Sequence, residues 1–250
     1  MSEDTAVDSD RYLYGIVLTD SGLPSRIDGV QAGQLLTVSF GKVAAVVSDL
    51  VETEVLGTPD DLGTHIEVLD GIATTQPVLP LAFGTVVPGE TDIAGEILAP
   101  LEAECIDALE KLSGHAQFTL LARYDRDTVL GEIILDNPEA AELRGMIVGT
   151  SEDETRTERN RLGEIVVKTM ESWKPSEAST ILEQLRPLAA DMCEREAGQA
   201  EDVTEVAVLL SQKVIPKFND VVNSLAEANQ ERLRFRLVGP QAPYDFAPEI

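Results

Sequence analysis

The apolar and polar positions of this chain alternate between two periods, and the switches between them mark out its elements. Residues 12–18 form an apolar run of strand length, followed by a loop carrying Gly22, Pro24 and Gly29. Residues 35–40 and 42–48 read as two strands, and the single Gly41 between them predicts a tight hairpin. Thr58-Pro59-Asp60-Asp61 predicts a helix start, with Thr as N-cap, Pro in the first turn and acids facing the helix dipole. That helix is expected to run to about residue 75. Residues 77–83 are expected as a strand overlapping the motif Leu79-Pro80-Leu81-Ala82-Phe83-Gly84-Thr85, opened by proline and closed by glycine. Ile93, Ile97, Leu98, Leu101, Cys105, Leu109 and Leu112 form the stripe of a second helix, kinked or split at Pro100.

Ser113-Gly114 stops that helix, and a strand over 115–124 opens the second half. Short helices are expected over 127–135 and 138–144. A long helix carrying Leu162, Ile165, Val166, Met170 and Trp173 is expected to break at Pro175. A further helix, bent at Pro187, is read from Ala178, Ile181, Leu182, Leu185, Leu188, Ala189 and Met192. The near-continuous apolar run 203–210 is a central strand. Residues 214–228 are a helix, and 232–237 alternate arginine with Leu233, Phe235 and Leu237 as a half-buried strand. Strands interleaved with helices give an α+β chain whose second sheet has helices mainly on one face. The boundaries that follow are a disordered acidic lead over 1–9, α+β domains over 10–113 and 114–238, and a proline-rich tail over 239–250.

Composition narrows the function. Apolar residues make up 43% of the 250 positions, enough for packed cores, but aromatics only 4%, so aliphatic side chains must build them. A net charge of −26 argues against nucleic acid and anionic membrane as partners and favours basic ones. Thirteen arginines against six lysines in so acidic a chain is a pattern shared with proteins of salt-loaded cytoplasm and with ordinary acidic proteins. The amino terminus shows no basic region followed by an apolar one, and no run approaches the roughly 18 apolar residues of a membrane helix, so a cytoplasmic protein is expected. Cys105 and Cys193 sit far apart within helical patterns and read as inert buried thiols.

Candidate chemistry is sparse. Only two histidines are present, His65 and His115, too few for a multi-histidine metal centre, and His65 and Glu67 stand two apart on a helix and share no face. A structural His65 outweighs a ligand. Glu152, Asp153 and Glu154 lack the central glycine and distant glutamate of a calcium loop, so a solvated acidic turn is expected. No nucleophile elbow, dinucleotide fingerprint or P-loop is found, and Asp49, Asp70 and Asp125 have no recognisable acid–base partner. No catalytic residue, metal or cofactor is therefore expected. Arg232, Arg234 and Arg236 alternate onto one strand face, and pairing with neighbouring acids outweighs the other reading, a docking stripe for an acidic partner or a second copy. The tail Gly239-Pro240-Gln241-Ala242-Pro243-Tyr244-Asp245-Phe246 carries two aromatic anchors, suited to its own core or to a partner.

In order along the chain, Tyr12-Leu13-Tyr14-Gly15-Ile16-Val17, Val43-Ala44-Ala45-Val46-Val47-Ser48, His65, Leu79-Pro80-Leu81-Ala82-Phe83-Gly84-Thr85, Leu237-Val238-Gly239-Pro240 and Pro243-Tyr244 resemble the GvpF/GvpL family of gas vesicle proteins. The family often has a basic residue between the proline and Phe-Gly, where this chain has Leu81-Ala82. The resemblance marks Tyr14, Gly15, His65, Pro80, Phe83, Gly84, Gly239, Pro240 and Tyr244 as signature positions of structural character. It implies two α+β domains, the second a modified ferredoxin-like fold. It also implies a non-enzymatic accessory role in forming gas vesicles, through contacts with the small hydrophobic shell subunit and other accessory proteins, at the vesicle or in the cytoplasm. Self-association remains open, and a ligand-sensing α+β regulator is the alternative, since fold alone does not settle function.

Overall fold

The structure, a computed structural model, describes residues 9–20, 22–24, 27–50, 55–196 and 198–248. The acidic lead expected over 1–9 lies, up to residue 8, outside the described residues. The strands in chain order are β1 (Arg11–Leu18), β2 (Leu36–Phe40), β3 (Val43–Asp49), β4 (Leu79–Pro80), β5 (Val86–Val87), β6 (His115–Tyr124), β7 (Asp191–Arg195), β8 (Asp202–Ser211) and β9 (Leu233–Gln241). The α-helices are α1 (Pro59–Ala73), α2 (Ala99–Leu112), α3 (Arg126–Asp136), α4 (Pro138–Ile147), α5 (Arg156–Leu185) and α6 (Ile215–Ala228). The chain is α+β and divides into two compact units, residues 1–118 with 209–212 and 239–250, and residues 119–208 with 213–238. The last segment, 239–248 as described, thus belongs to the first unit.

The first unit is built on a sheet of order β2-β3-β1-β4, with β5 also on β1, all pairs antiparallel. The β2–β3 hairpin turns at Gly41, whose φ of 54° is left-handed and suits glycine. β1 is buried on both faces, one against α1 and the other against α2, and it carries a bulge: Leu13 faces Val47 and Gly15 faces Val46, which leaves Tyr14 as the extra residue. The bulge shifts the alternation. Tyr12, Tyr14 and Val17 pack with Val68, Leu69 and Ile72 of α1, while Leu13 and Ile16 pack with Cys105, Leu109 and Leu112 of α2. α1 starts with a capping box: Asp61 N–H donates to Thr58 Oγ1 and Thr58 N–H donates to Asp61 Oδ2. Before α2 lies a π-helical segment, Ile93–Leu98, and Pro100 sits in the first turn of α2, where its missing N–H costs no intrahelical bond.

Three sequence expectations are corrected here. The strand over 77–83 shrinks to β4, because Thr85 N–H donates to the Ala82 carbonyl and turns the chain toward β5. Pro175 does not break its helix: α5 runs 30 residues through it, held by buried Leu162, Ile165, Met170, Ile181, Leu182 and Leu185 on both flanks. Burial of six large side chains outweighs the roughly 3 kcal/mol that an internal proline costs. Pro187 ends the helical path instead of bending it, so Met192 and Cys193 lie on β7, half-buried, rather than on a helix.

The four-stranded sheet has the order β7-β8-β6-β9. Its elements follow as strand, helices, strand, strand, helix, strand. Tyr124 N–H donates to Glu201 O and Gln212 N–H to Gly114 O, so β6 and β8 run antiparallel. β8 is an interior strand, buried along nearly its whole length, as its apolar run predicts.

Candidate functional site

Tyr12 and Tyr14, two apart on β1, face the same core, and the family-like positions gather around them. Tyr12 Oη accepts the Gly84 N–H at 3.0 Å and lies 2.9 Å from His65 Nδ1. With the hydroxyl proton donated to Nδ1, His65 is the neutral Nε2–H tautomer. That Nε2 is buried and faces the Leu81 backbone without a hydrogen bond of good geometry. Phe83 meets the imidazole edge-on at 5.6 Å, and Tyr14 stacks on it at 5.9 Å. Tyr14 Oη accepts the Val30 N–H at 2.6 Å and bonds Ser48 Oγ at 2.9 Å, tying the loop before β2 to the sheet. Burial pushes the Tyr12 hydroxyl up to about 12, raises Tyr14 and lowers His65. All three are neutral near pH 7 and closed to solvent, so they fasten backbone and offer no reach to a substrate.

The glycines and prolines of the same set shape the backbone around this cluster. A Cβ at Gly15 would lie 2.6 Å from the Leu79 carbonyl oxygen, so only glycine lets β4 approach β1, where Gly15 pairs with Pro80. Gly84 holds a φ of 87°, which presents its N–H to Tyr12. Near the carboxyl end, a Cβ at Gly239 would lie 2.5 Å from Phe118 Cδ1. Pro240 follows through a cis peptide, and Ala242 N–H then donates to Asp70 Oδ1 on α1 at 2.7 Å. Tyr244 turns toward Asp70 and Tyr12, and burial raises its hydroxyl pKa although 37% of the residue is exposed. Asp245 closes the segment by bonding Gln117 through both backbone and side chain, at 3.1 and 2.5 Å. Tyr14, Gly15, His65, Pro80, Phe83, Gly84 and Tyr244 are thus brought into one neighbourhood of the first unit, with Gly239 and Pro240 leading the chain into it.

The partners missing from the sequence pattern now stand in place. Asp70 anchors the carboxyl-terminal segment, Asp49 pairs with Arg11 at 3.5 Å, and Asp125 both caps α3 and pairs with Arg234 at 2.9 Å. None of the three faces a second acid or base in a catalytic arrangement. Tyr12 and Asp70 carry much of the network and were not separable by residue type from any buried tyrosine or helix aspartate.

The arginines of β9 divide. Arg232 pairs with Glu132 at 2.7 Å and with Glu177, and its guanidinium lies between the rings of Tyr124 (5.4 Å) and Trp173 (5.1 Å). Arg234 is held by Asp125. Arg236 is exposed and has no partner among the described residues. His115 bonds the Ser113 carbonyl through Nδ1. Glu154 accepts from the backbone and hydroxyl of Ser151, which lowers its pKa, so the acidic turn is internally capped. Among the described residues no cluster of three metal-ligating side chains occurs, and no helix is long and apolar enough to cross a membrane.

Comparison with known proteins gives this arrangement a family. Gas vesicle protein F of Nostoc sp. (strain PCC 7120) is 23% identical over 94% of this chain and 97% of that relative. Gas vesicle protein F2 of Halobacterium salinarum is 28% identical over 61% of this chain and 72% of its own length, and gas vesicle protein L1 of the same organism is 24% identical over 100% and 94%. The fold matches the crystal structure of the gas vesicle protein GvpF from Anabaena sp. PCC7120 with a TM-score of 0.75 at 23% identity, over 96% of this chain and 98% of that one. GvpF from Microcystis aeruginosa matches with a TM-score of 0.71 at 21% identity, over 96% and 99%. The model of the family described as gas vesicle synthesis protein GvpL/GvpF matches residues 10–248, and the chain belongs to that family.

Proposed function

We propose that this protein is a non-enzymatic accessory factor that binds the small hydrophobic shell subunit, together with other accessory proteins, while a gas vesicle is begun or built. The reading is carried by the family match over residues 10–248, which spans both compact units. The interior agrees with it: the tyrosines and histidine with shifted pKa values are spent on backbone hydrogen bonds and are closed to solvent. A charge of −26 gives a physical means of keeping an aggregation-prone apolar subunit dispersed, because strongly charged surfaces resist association. Arg236, and at the rim Arg234, are the members of the β9 stripe open to a partner, whereas Arg232 is committed to its two glutamates. The test is co-purification of the tagged full chain with the shell subunit, beside a deletion strain scored for vesicles. Normal vesicles in the deletion strain would overturn the reading.

A further inference from the structure

One cleft of the second unit runs against the charge of the whole chain. It encloses about 240 Å³ among α3, α4 and α5, with a floor of Leu130, Ile147, Leu162 and Val166. Arg126, Arg144 and Arg159 stand around that floor, and no carboxylate lines it, although acids outnumber bases 45 to 19 over the chain. The three are free of strong ion pairs. Arg144 is exposed and unpaired among the described residues, and Arg126 reaches only Glu201 at 3.9 Å with its side chain 83% exposed. Arg159 is set in place by neutral groups, its Nε donating to Thr155 Oγ1 at 3.1 Å and its Nη2 to the Thr150 carbonyl at 3.2 Å. A second cleft beside α4 and α5 shows the ordinary case, where Arg161 and Lys168 stand with Glu139 and Glu164.

We propose that the α3–α4–α5 cleft docks an acidic segment of a partner polypeptide. Its carboxylates would meet the three guanidiniums, and an aliphatic side chain would cover the floor. Guanidinium binds carboxylate through paired, planar hydrogen bonds, and with no acid lining the cleft the only internal competitor is Glu201, 3.9 Å from Arg126. A small phosphorylated ligand fits less well: it leaves four aliphatic side chains bare, and no aromatic ring lines the cleft to stack a base. This contact is separate from the one proposed for the hydrophobic shell subunit, which the acidic surface would serve.

The experiment uses the full chain and a fluorescein-labelled peptide of alternating glutamate and leucine, read by fluorescence anisotropy. Binding is expected to weaken about tenfold or more in the triple variant Arg126→Gln/Arg144→Gln/Arg159→Gln and to fall as salt is raised. Arg144→Gln alone, at an exposed and unpaired position, is expected to weaken binding with an unchanged melting curve, which separates lost docking from lost folding. Arg161→Gln, outside the cleft, is expected to leave binding unchanged. The proposal is overturned if the wild type does not bind, if a glutamine–leucine peptide binds equally, or if inorganic phosphate or ATP displaces the peptide at equal charge concentration. A concentration-dependent dimer abolished by Arg144→Gln would make the occupant a second copy of this chain and overturn the separate partner.

Discussion

The Tyr12 hydroxyl ties two neighbours, the Gly84 N–H and His65 Nδ1, to one buried oxygen. Replacing Tyr12 by phenylalanine keeps the ring contacts with Tyr14 and Phe83 but leaves the Gly84 N–H and His65 Nδ1 without a partner. The expected loss of stability is about 1–3 kcal/mol in chemical denaturation, set by the unmet groups and not by lost volume. His65 makes the same core sensitive to acid. Burial lowers its folded pKa below the ordinary 6.5, so beneath 6.5 the unfolded chain takes a proton that the folded chain refuses. The His65 contribution is full above 6.5 and is lost as pH falls toward the folded value. Asp70 acts with the opposite sign lower down: burial raises its folded pKa above 3.8, so its contribution is greatest below 3.8 and declines as pH rises through the raised value. Melting curves taken from about pH 7.5 to about pH 5 are expected to show a falling melting temperature, and a shallower fall in His65→Gln, which keeps Asp70. Equal slopes in the two proteins would show that His65 does not carry the effect.

At the scale of elements, β1 depends on one backbone approach. Gly15→Ala puts a methyl group 2.6 Å from a carbonyl oxygen of β4, and main chain cannot swing aside as a side chain can. A loss of about 1–3 kcal/mol is expected, of the size found for overpacked cores, readable as a lowered urea midpoint with an unchanged slope. The sequence told most about elements whose signals are local. Thr58 and Asp61 announced the start of α1, Gly41 the β2–β3 hairpin, and the apolar run of β8 an interior strand. It told least where distant packing overrules a local rule. Pro175 forbids a helix by itself, yet buried side chains on either side carry α5 through it, and Met192 fits a helical period that Pro187 had already ended. The signature residues were visible as a series in order, but their convergence was not. Nothing in the spacing of Tyr12, His65, Gly84 and Tyr244 states that a turn at Gly84 and the docking of Ala242 on Asp70 bring them together. The arginine cleft was silent for a related reason: its three cations come from three successive helices, and no period along the chain states how those helices pack.

For the whole molecule the governing quantity is charge. Even if every one of the 19 bases sat beside an acid, 26 acids would remain without a counter-charge. Two opposing effects of salt follow. Screening weakens the ion pairs, but most of them are exposed, as Arg161 with Glu139 and Arg234 with Asp125 are, and exposed pairs contribute about 0–1 kcal/mol each. The tighter pair of Arg123 with Asp202 at 2.5 Å has a carboxylate buried to 2% exposure and is screened least. Screening also relieves repulsion among the unmatched acids, which is felt at every one of them and across the 10 Å or so that the Debye length spans at about 0.1 M salt. The second effect wins, because it scales with net charge while the first is limited by the few pairs that matter. The melting temperature is therefore expected to climb as sodium chloride is raised from near zero, by about 2–4 °C for each kcal/mol relieved, and to level off once the Debye length falls below the spacing of surface acids. A melting temperature that falls with added salt would mean that the ion pairs outweigh the repulsion, and the acidic surface would then have to be explained by its partners and not by tolerance of its own charge.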